Sequence, residues 1–160
     1  EILRCLVGSE MCIRDRSWAV YGLALCYHYT HEEAILPLFE RVTKYFIDHL
    51  PEDYVPYWDL IFSDGSCEPR DTSAAAIAAC GILEMEKYYH NQEFLDIAKK
   101  MMSSLSEKYT TVDYLQSNGI IKDGMYSRKH GHKSECTSWG DYFYLEALMR
   151  MKKSDWKIYW

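Results

Sequence analysis

PYWDLIFSDGSCEPRDTSAAAIAACGILEME, Pro56–Glu86, decides the reading of this chain. An aromatic loop with several acids feeds a helix that opens on a run of alanines. Asp71-Thr72-Ser73 offers three side chains able to cap the first turn. Ala74, Ala75, Ala76, Ala78, Ala79 and Gly81 then leave so little side-chain bulk that a second helix can approach closely. A rich loop at the mouth of a rigid helical scaffold is where ligand contacts concentrate.

Working outward, the helical period recurs. Ser17–Tyr29 is apolar almost all round, a pattern expected of a helix buried on every side. Thr30-His31-Glu32-Glu33 reads as a capping box for the next helix. That helix carries Ile35, Leu38, Phe39, Val42, Phe46 and Leu50 on one face and Glu40, Arg41, Lys44 and Asp48 on the other. Pro37 should kink it or delay its regular start, and Pro51 should end it. The alanine helix is expected to run to Tyr89. Asn91 caps a further amphipathic helix with Phe94, Ala98, Met101, Leu105 and Tyr109 as its inner stripe. After a long segment, Thr110–Thr137, Ser138-Trp139-Gly140-Asp141 resembles another capping box, opening a helix through Met151. The order is buried, amphipathic, buried, amphipathic, buried. Such alternation predicts concentric rings of inner and outer helices, an all-α toroid. Solenoids alternate similarly, but their linkers are usually short, whereas two long segments interrupt this chain.

Composition sets the outer bounds. The 160 residues, 26% charged and 48% hydrophobic, fit one globular domain. A net charge of −6 with no large basic cluster argues against nucleic-acid binding. No apolar run is long enough for a membrane span. The 14 tyrosines suit either sugar stacking or the seams of a helical core. The six cysteines, at 5, 12, 26, 67, 80 and 136, form no CxxC pair and read as thiols in a reducing compartment. The N-terminal EILRCLVGSEMCIRDR, residues 1–16, has no clear period and no initiating Met. It resembles translated adapter or vector sequence, so residues 17–160 are taken as the domain.

Three segments resemble glycoside hydrolase family 88, the unsaturated glucuronyl hydrolases. SWAVYGLALCYHYT is similar to the family's R-G-Q-x-W-A-x-Y-G helix start. VPYWDL…PRDTSAAAIAACGILEM is similar to its Y-W-D…R-D-S-S-A-A-A-I-A-A stretch, and SWGDYFYLEALMR to its closing W-G-D-Y-F/Y-L-E-A-L helix. The resemblance covers everything after the tail but only the C-terminal part of a typical member. It implies about five helices of an incomplete (α/α)6 barrel. It also implies an enzyme that releases 4,5-unsaturated uronic acid from lyase-generated glycosaminoglycan oligosaccharides. In that family an aspartic acid protonates the vinyl ether and water adds across it, with no metal or organic cofactor. The two family aspartates lie in the N-terminal half and have no counterpart here. No catalytic residue is therefore assigned, and the chain alone is expected to be inactive. The compartment stays open between cytoplasm and periplasm.

The resemblance also marks substrate contacts. Trp18 matches a tryptophan near the sugar ring, and Arg14 and Arg16 stand where the family has Arg and Gln. Family members that prefer sulfated disaccharides carry S-x-x-S-x-K in the region of Gly124–Lys133. Here Ser127 keeps the first place, His130 replaces the second serine and His132 stands for the lysine, with Tyr126 beside them. Tyr57, Trp58 and Asp59 are further candidates to face the cleft. Asp71 reads as an ionised helix cap and Arg70 as a loop pin. Trp139, Gly140 and Asp141 read as the start of the last helix, with Trp139 also a possible cleft residue. His130, His132 and Cys136 form a metal-like trio that lacks a fourth ligand and is set aside. Two other readings differ in mechanism or class. One is the related unsaturated rhamnogalacturonyl hydrolases, against which the Y-W-D and R-D-T-S-A-A-A segments speak. The other is a non-catalytic helical-repeat binding module, which would need short turns and no basic loop.

Overall fold

The computed structural model describes residues 13–126, 135–153 and 155–158. Among the described residues five helices follow in order: α1 Ile13–Thr30, α2 Ile35–Ile47, α3 Thr72–Met85, α4 Gln92–Lys108 and α5 Ser138–Lys152. Among the described residues there is no β-strand, only isolated bridges pairing Tyr57 with Arg70, Thr110 with Ile121, and Gly124 with Glu135. Among the described residues no helix is long and apolar enough to cross a membrane.

The alanine helix α3 is the axis of the packing. Nearly every one of its residues is buried. It touches α1 on one side, α5 on another and α4 behind, while α2 packs on α1. The inner layer is thus α1, α3 and α5, and the outer layer is α2 and α4. Gly81 explains how close α1 comes: a Cβ there would lie 2.7 Å from the Tyr21 Cα and 2.8 Å from the Tyr21 N. Around this contact Ile77, Ile82, Met85, Met101, Met102, Leu105, Phe39 and Phe46 fill the core. Each such fully buried side chain contributes on the order of 1.5–3 kcal/mol.

The outer helices follow the sequence pattern. Glu40, Arg41, Lys44 and Asp48 are exposed on α2, as are Asp96, Lys99, Lys100 and Glu107 on α4. Phe94, Ala98, Met101, Leu105 and Tyr109 are buried. Asn91 caps α4, accepting from the Phe94 N–H at 3.1 Å. Pro37 falls in the first turn of α2, where its missing N–H has no intrahelical partner to lose.

Four local expectations are corrected. Thr30 does not open α2: it closes α1, its hydroxyl donating to the Cys26 carbonyl at 2.7 Å, while Glu33 accepts from the Tyr27 hydroxyl. His31 follows at φ 51°, a left-handed residue just past the helix end, and Ala34 begins α2 without a side-chain cap. Helix α2 ends at Ile47, before Pro51 is reached, and α3 ends at Met85 rather than Tyr89. The cap of α5 is Thr137, accepting from the Gly140 N–H at 3.2 Å. Asp141 instead accepts from the Ile120 and Ile121 amides, both at 3.0 Å, tying the preceding loop to α5.

The expected burial of α1 and α5 on every side also fails in part. Helix α1 is covered along Ile13, Ser17, Val20, Tyr21, Ala24 and Tyr27 but exposes Trp18, Cys26 and Tyr29. Helix α5 exposes Tyr142, Leu145, Leu148 and Met151 as one stripe. No described element covers these faces, so two apolar inner helices are each wetted on one side. The start of α1 at Ile13 lies four residues before the expected domain boundary, and Ile13 and Arg16 are buried.

Charge at the heart of the inner layer is compensated. Glu84, fully buried on α3, accepts from Arg150 Nη1, from Lys87 Nζ at 2.7 Å, and faces His28 Nδ1 at 2.8 Å. Glu146 accepts from Arg150 Nε at 2.8 Å and from the Tyr21 hydroxyl at 2.9 Å. Arg150 Nη2 also sits 2.7 Å from Glu146, close enough for charge attraction but not aligned as a hydrogen bond. Burial pushes the Glu84 carboxyl up, yet Lys87 and Arg150 outweigh it and hold it below its ordinary value. Burial, with Glu146 beside it, pushes the Tyr21 phenol well up.

Candidate functional site

The N-terminal ends of α1, α3 and α5 meet at one end of the inner layer. There Arg14 and Trp18 of α1, Trp139 of α5 and Tyr126 of the intervening loop line a cleft of about 300 Å³. Three of the expected substrate contacts, Arg14, Trp18 and Tyr126, are thereby brought together. Ser127, His130 and His132 lie outside the described residues. A larger open hollow of about 750 Å³ runs along Thr111, Tyr114, Leu115, Lys122 and Cys136, but it lacks facing aromatic walls from separate helices.

Each wall of the smaller cleft is fixed. The Trp18 ring is 41% exposed and is braced edge-on by Phe143 at 5.0 Å and 87°. Its exposed portion offers an apolar surface to a ligand. Tyr126 is 55% exposed and lies 5.8 Å from the Trp139 ring. The Arg14 guanidinium donates to the Met125 carbonyl at 2.7 Å and the Tyr126 carbonyl at 3.2 Å. It also stands over the Trp139 ring, 5.3 Å from its centre. Arg14 therefore clamps the loop to α1 and brings positive charge to the cleft. The Trp139 indole N–H donates to Ser73 Oγ at 3.2 Å.

Other sequence candidates are used for structure. Arg16 turns away, its guanidinium 4.5 Å from the centre of the Tyr45 ring. Tyr57 is buried beneath Arg70, whose guanidinium lies 3.9 Å from the ring centre. The Trp58 indole donates to Glu68 at 2.8 Å, and Asp59 accepts from the Ile61 amide at 3.2 Å within its own turn. None of Tyr57, Trp58 and Asp59 lines the cleft. Arg70 pins its loop as expected, donating to the Val55 carbonyl at 2.6 Å and pairing with Asp53 at 3.3 Å. Asp71 caps α3, its Oδ1 accepting from the Ser73 N–H at 3.2 Å. The expectation that the cap stays readily ionised is corrected: complete burial pushes its carboxyl above the ordinary value, against the lowering effect of Ser73, Arg14 and nearby backbone amides. The contribution of Ser73 to the cleft wall was not legible in the sequence. An indole N–H is a donor in need of an acceptor, but nothing local says which residue supplies one.

Among the described residues no group of three His, Cys, Asp or Glu side chains is placed to hold a metal. The cysteines described, Cys26, Cys67, Cys80 and Cys136, are free thiols. Cys80 is buried, its thiol donating to the Phe143 carbonyl at 3.2 Å, and burial raises its pKa well above the ordinary value.

Paired inner and outer helices, with a ligand-sized cleft where the inner helices begin, are an arc of an α/α toroid. No family model matches the chain. It is 45% identical over 153 residues to the unsaturated chondroitin disaccharide hydrolase of Streptococcus pneumoniae, covering 92% of this chain and 38% of that protein. A mutant of the Streptococcus agalactiae unsaturated glucuronyl hydrolase, solved in complex with dGlcA-GalNAc6S, superposes with a TM-score of 0.88 at 41% identity, covering 96% of this chain and 42% of the other. The Bacillus sp. GL1 unsaturated glucuronyl hydrolase superposes with a TM-score of 0.83 at 35% identity, covering 90% and 40%. The chain is homologous to the unsaturated glucuronyl hydrolases of glycoside hydrolase family 88 and corresponds to their C-terminal portion. It spans 38% of the length of the curated relative first described.

Proposed function

We propose that this chain is the sugar-binding C-terminal part of an enzyme that removes 4,5-unsaturated uronic acid from glycosaminoglycan-derived disaccharides. The observation that carries the reading is the convergence of Arg14, Trp18, Tyr126 and Trp139 on one cleft. Aromatic walls suit the apolar faces of sugar rings. Arg14, held against the loop by two carbonyls, supplies a cation near the place a uronate would occupy. Ser127, His130 and His132 extend this reading toward the second sugar, where hydroxyl and imidazole groups suit sulfate or carboxylate oxygens.

The described lining contains no carboxylate. Protonating a vinyl ether needs a carboxyl within reach of the alkene carbon and of water. Asp71, a buried acid joined to this lining through Ser73 and Trp139, is committed to its helix cap and to Ser73. The cleft as described therefore binds and orients, and the proton comes from elsewhere in the enzyme. The helical-repeat binding module is disfavoured by the long 48–71 and 109–137 segments.

The test is a titration of the isotopically labelled chain with an unsaturated chondroitin disaccharide, followed by the indole signals. The Trp18 and Trp139 signals should move saturably, while Trp58, bonded to Glu68, stays still. Uniform or absent movement would overturn the assignment of the cleft.

A further inference from the structure

We propose that Asp71, acting through Ser73, is a positioning residue that sets the Trp139 indole as one wall of the sugar cleft. This rests on the cleft assignment above. The chain of contacts has a fixed direction. Trp139 Nε1–H can only donate, and it donates to Ser73 Oγ at 3.2 Å. The Ser73 hydroxyl in turn donates to Asp71 Oδ1 at 2.5 Å. With its own proton committed to Asp71, Ser73 presents a lone pair to the indole. Helix α3 thereby holds the first turn of α5.

The fit around the indole leaves it little choice. A Cβ at Gly140 would lie 3.4 Å from the Ser73 Cβ, ordinary contact distance, so the start of α5 lies against α3. Arg14 stands over the indole and Tyr126 flanks it. Ser73 fixes the polar edge of the ring, and Arg14 and Tyr126 meet the rest.

Capping alone does not account for an aspartate here. Asn or Ser would accept the Ser73 N–H nearly as well. Asp71 is instead fully buried, and its Oδ2 has no hydrogen-bond partner among the described residues. The Arg14 charge and the Met125 amide offset that cost only partly. A buried acid whose burial is only partly offset is a poor choice for stability. It is a good choice for polarising a serine that must act as an acceptor.

The test uses the 160-residue chain, with the Trp139 indole signal assigned by Trp139→Phe. In Ser73→Ala the Trp139 indole proton should exchange with solvent at least tenfold faster, and the affinity for the unsaturated chondroitin disaccharide should fall three- to tenfold. Asp71→Asn, which keeps the cap, should raise exchange by a smaller factor of two to three. The Trp58 indole, bonded to Glu68, is the internal control for a general loosening. Unchanged Trp139 exchange in Asp71→Asn, or in a folded Ser73→Ala, overturns the proposal. So does faster exchange with unchanged disaccharide affinity. Faster exchange in a chain whose indoles never respond to the disaccharide would sink the cleft and spare the hydrogen-bond chain. The reverse pattern would sink the chain and spare the cleft.

Discussion

Replacing Arg150 with Met removes the one guanidinium that serves both buried glutamates. Glu84 would keep Lys87 and His28, each about a quarter exposed, so part of its compensation survives. Glu146 would lose its closest cation and keep the Tyr21 hydroxyl. Breaking a buried pair by deleting one partner costs about 3–5 kcal/mol. The aliphatic stem of Met replaces much of the lost packing, so the change is dominated by charge. With a urea m-value of about 2 kcal/mol/M, the midpoint should fall by roughly 1.5–2.5 M. The decisive comparison is the double variant Arg150→Met/Glu146→Gln. Once Glu146 is neutral its burial no longer needs the cation, so the double variant should recover at least 1 kcal/mol over Arg150→Met, beyond what additivity allows. A loss under about 1 kcal/mol in Arg150→Met would refute the argument. So would strict additivity in the double variant, since the network would then be a surface-like pairing of little worth.

Gly81→Ala should destabilise by about 1–3 kcal/mol in a thermal melt, because its Cβ meets α1 backbone rather than a yielding side chain. Glu84→Gln should be less stable than wild type at pH 7. Glu84 has its pKa held below 4.5 in the folded state, so its contribution is present above 4.5 and is lost as pH falls through the depressed value; the two proteins should converge in acid. Asp71→Asn should behave oppositely. The raised folded pKa of Asp71 makes its contribution complete below 3.8 and lost as pH rises through the folded value, so the variant should gain on wild type in chemical denaturation between acid and neutral pH. Joined to the N-terminal portion of the Streptococcus pneumoniae relative, the chain with Trp18→Ala should turn over an unsaturated disaccharide about tenfold more slowly, measured by loss of alkene absorbance. Unchanged kinetics would remove Trp18 from the site.

Helix identity was legible because each amphipathic stripe, such as Phe94 to Tyr109, spans several turns and admits one reading. The caps at Asp71 and Asn91 were legible for a similar reason, since a short polar residue stood directly before an apolar run. The boxes at Thr30 and Ser138 misled because their pattern is local while their competitors are not. Thr30 found the Cys26 carbonyl behind it, and Asp141 found two loop amides some twenty residues away. Helix α1 shows a different limit. An all-apolar surface says that a helix suits burial, but not which segment covers each face. In the site, Arg14, Trp18 and Tyr126 were marked by resemblance. Trp139 was read both as part of a helix start and as a cleft residue, and it is both: it stands in the first turn of α5 and lines the cleft. The Asp71–Ser73 link was invisible because it joins residues two apart to one 66 positions away.

The contact at Gly81 has a reach beyond stability. It lies eight residues along α3 from Ser73, about 12 Å at helical rise. Helix α1 carries Arg14 and Trp18, and α3 steers Trp139, so the two sides of the cleft ride on rods that touch at this hydrogen-sided point. A methyl group here falls about 0.7 Å short of ordinary contact distance and would act as a wedge under a lever, tilting one rod against the other and resetting the gap at its far end. If the cleft holds a sugar as proposed, its grip depends on a residue that never meets one.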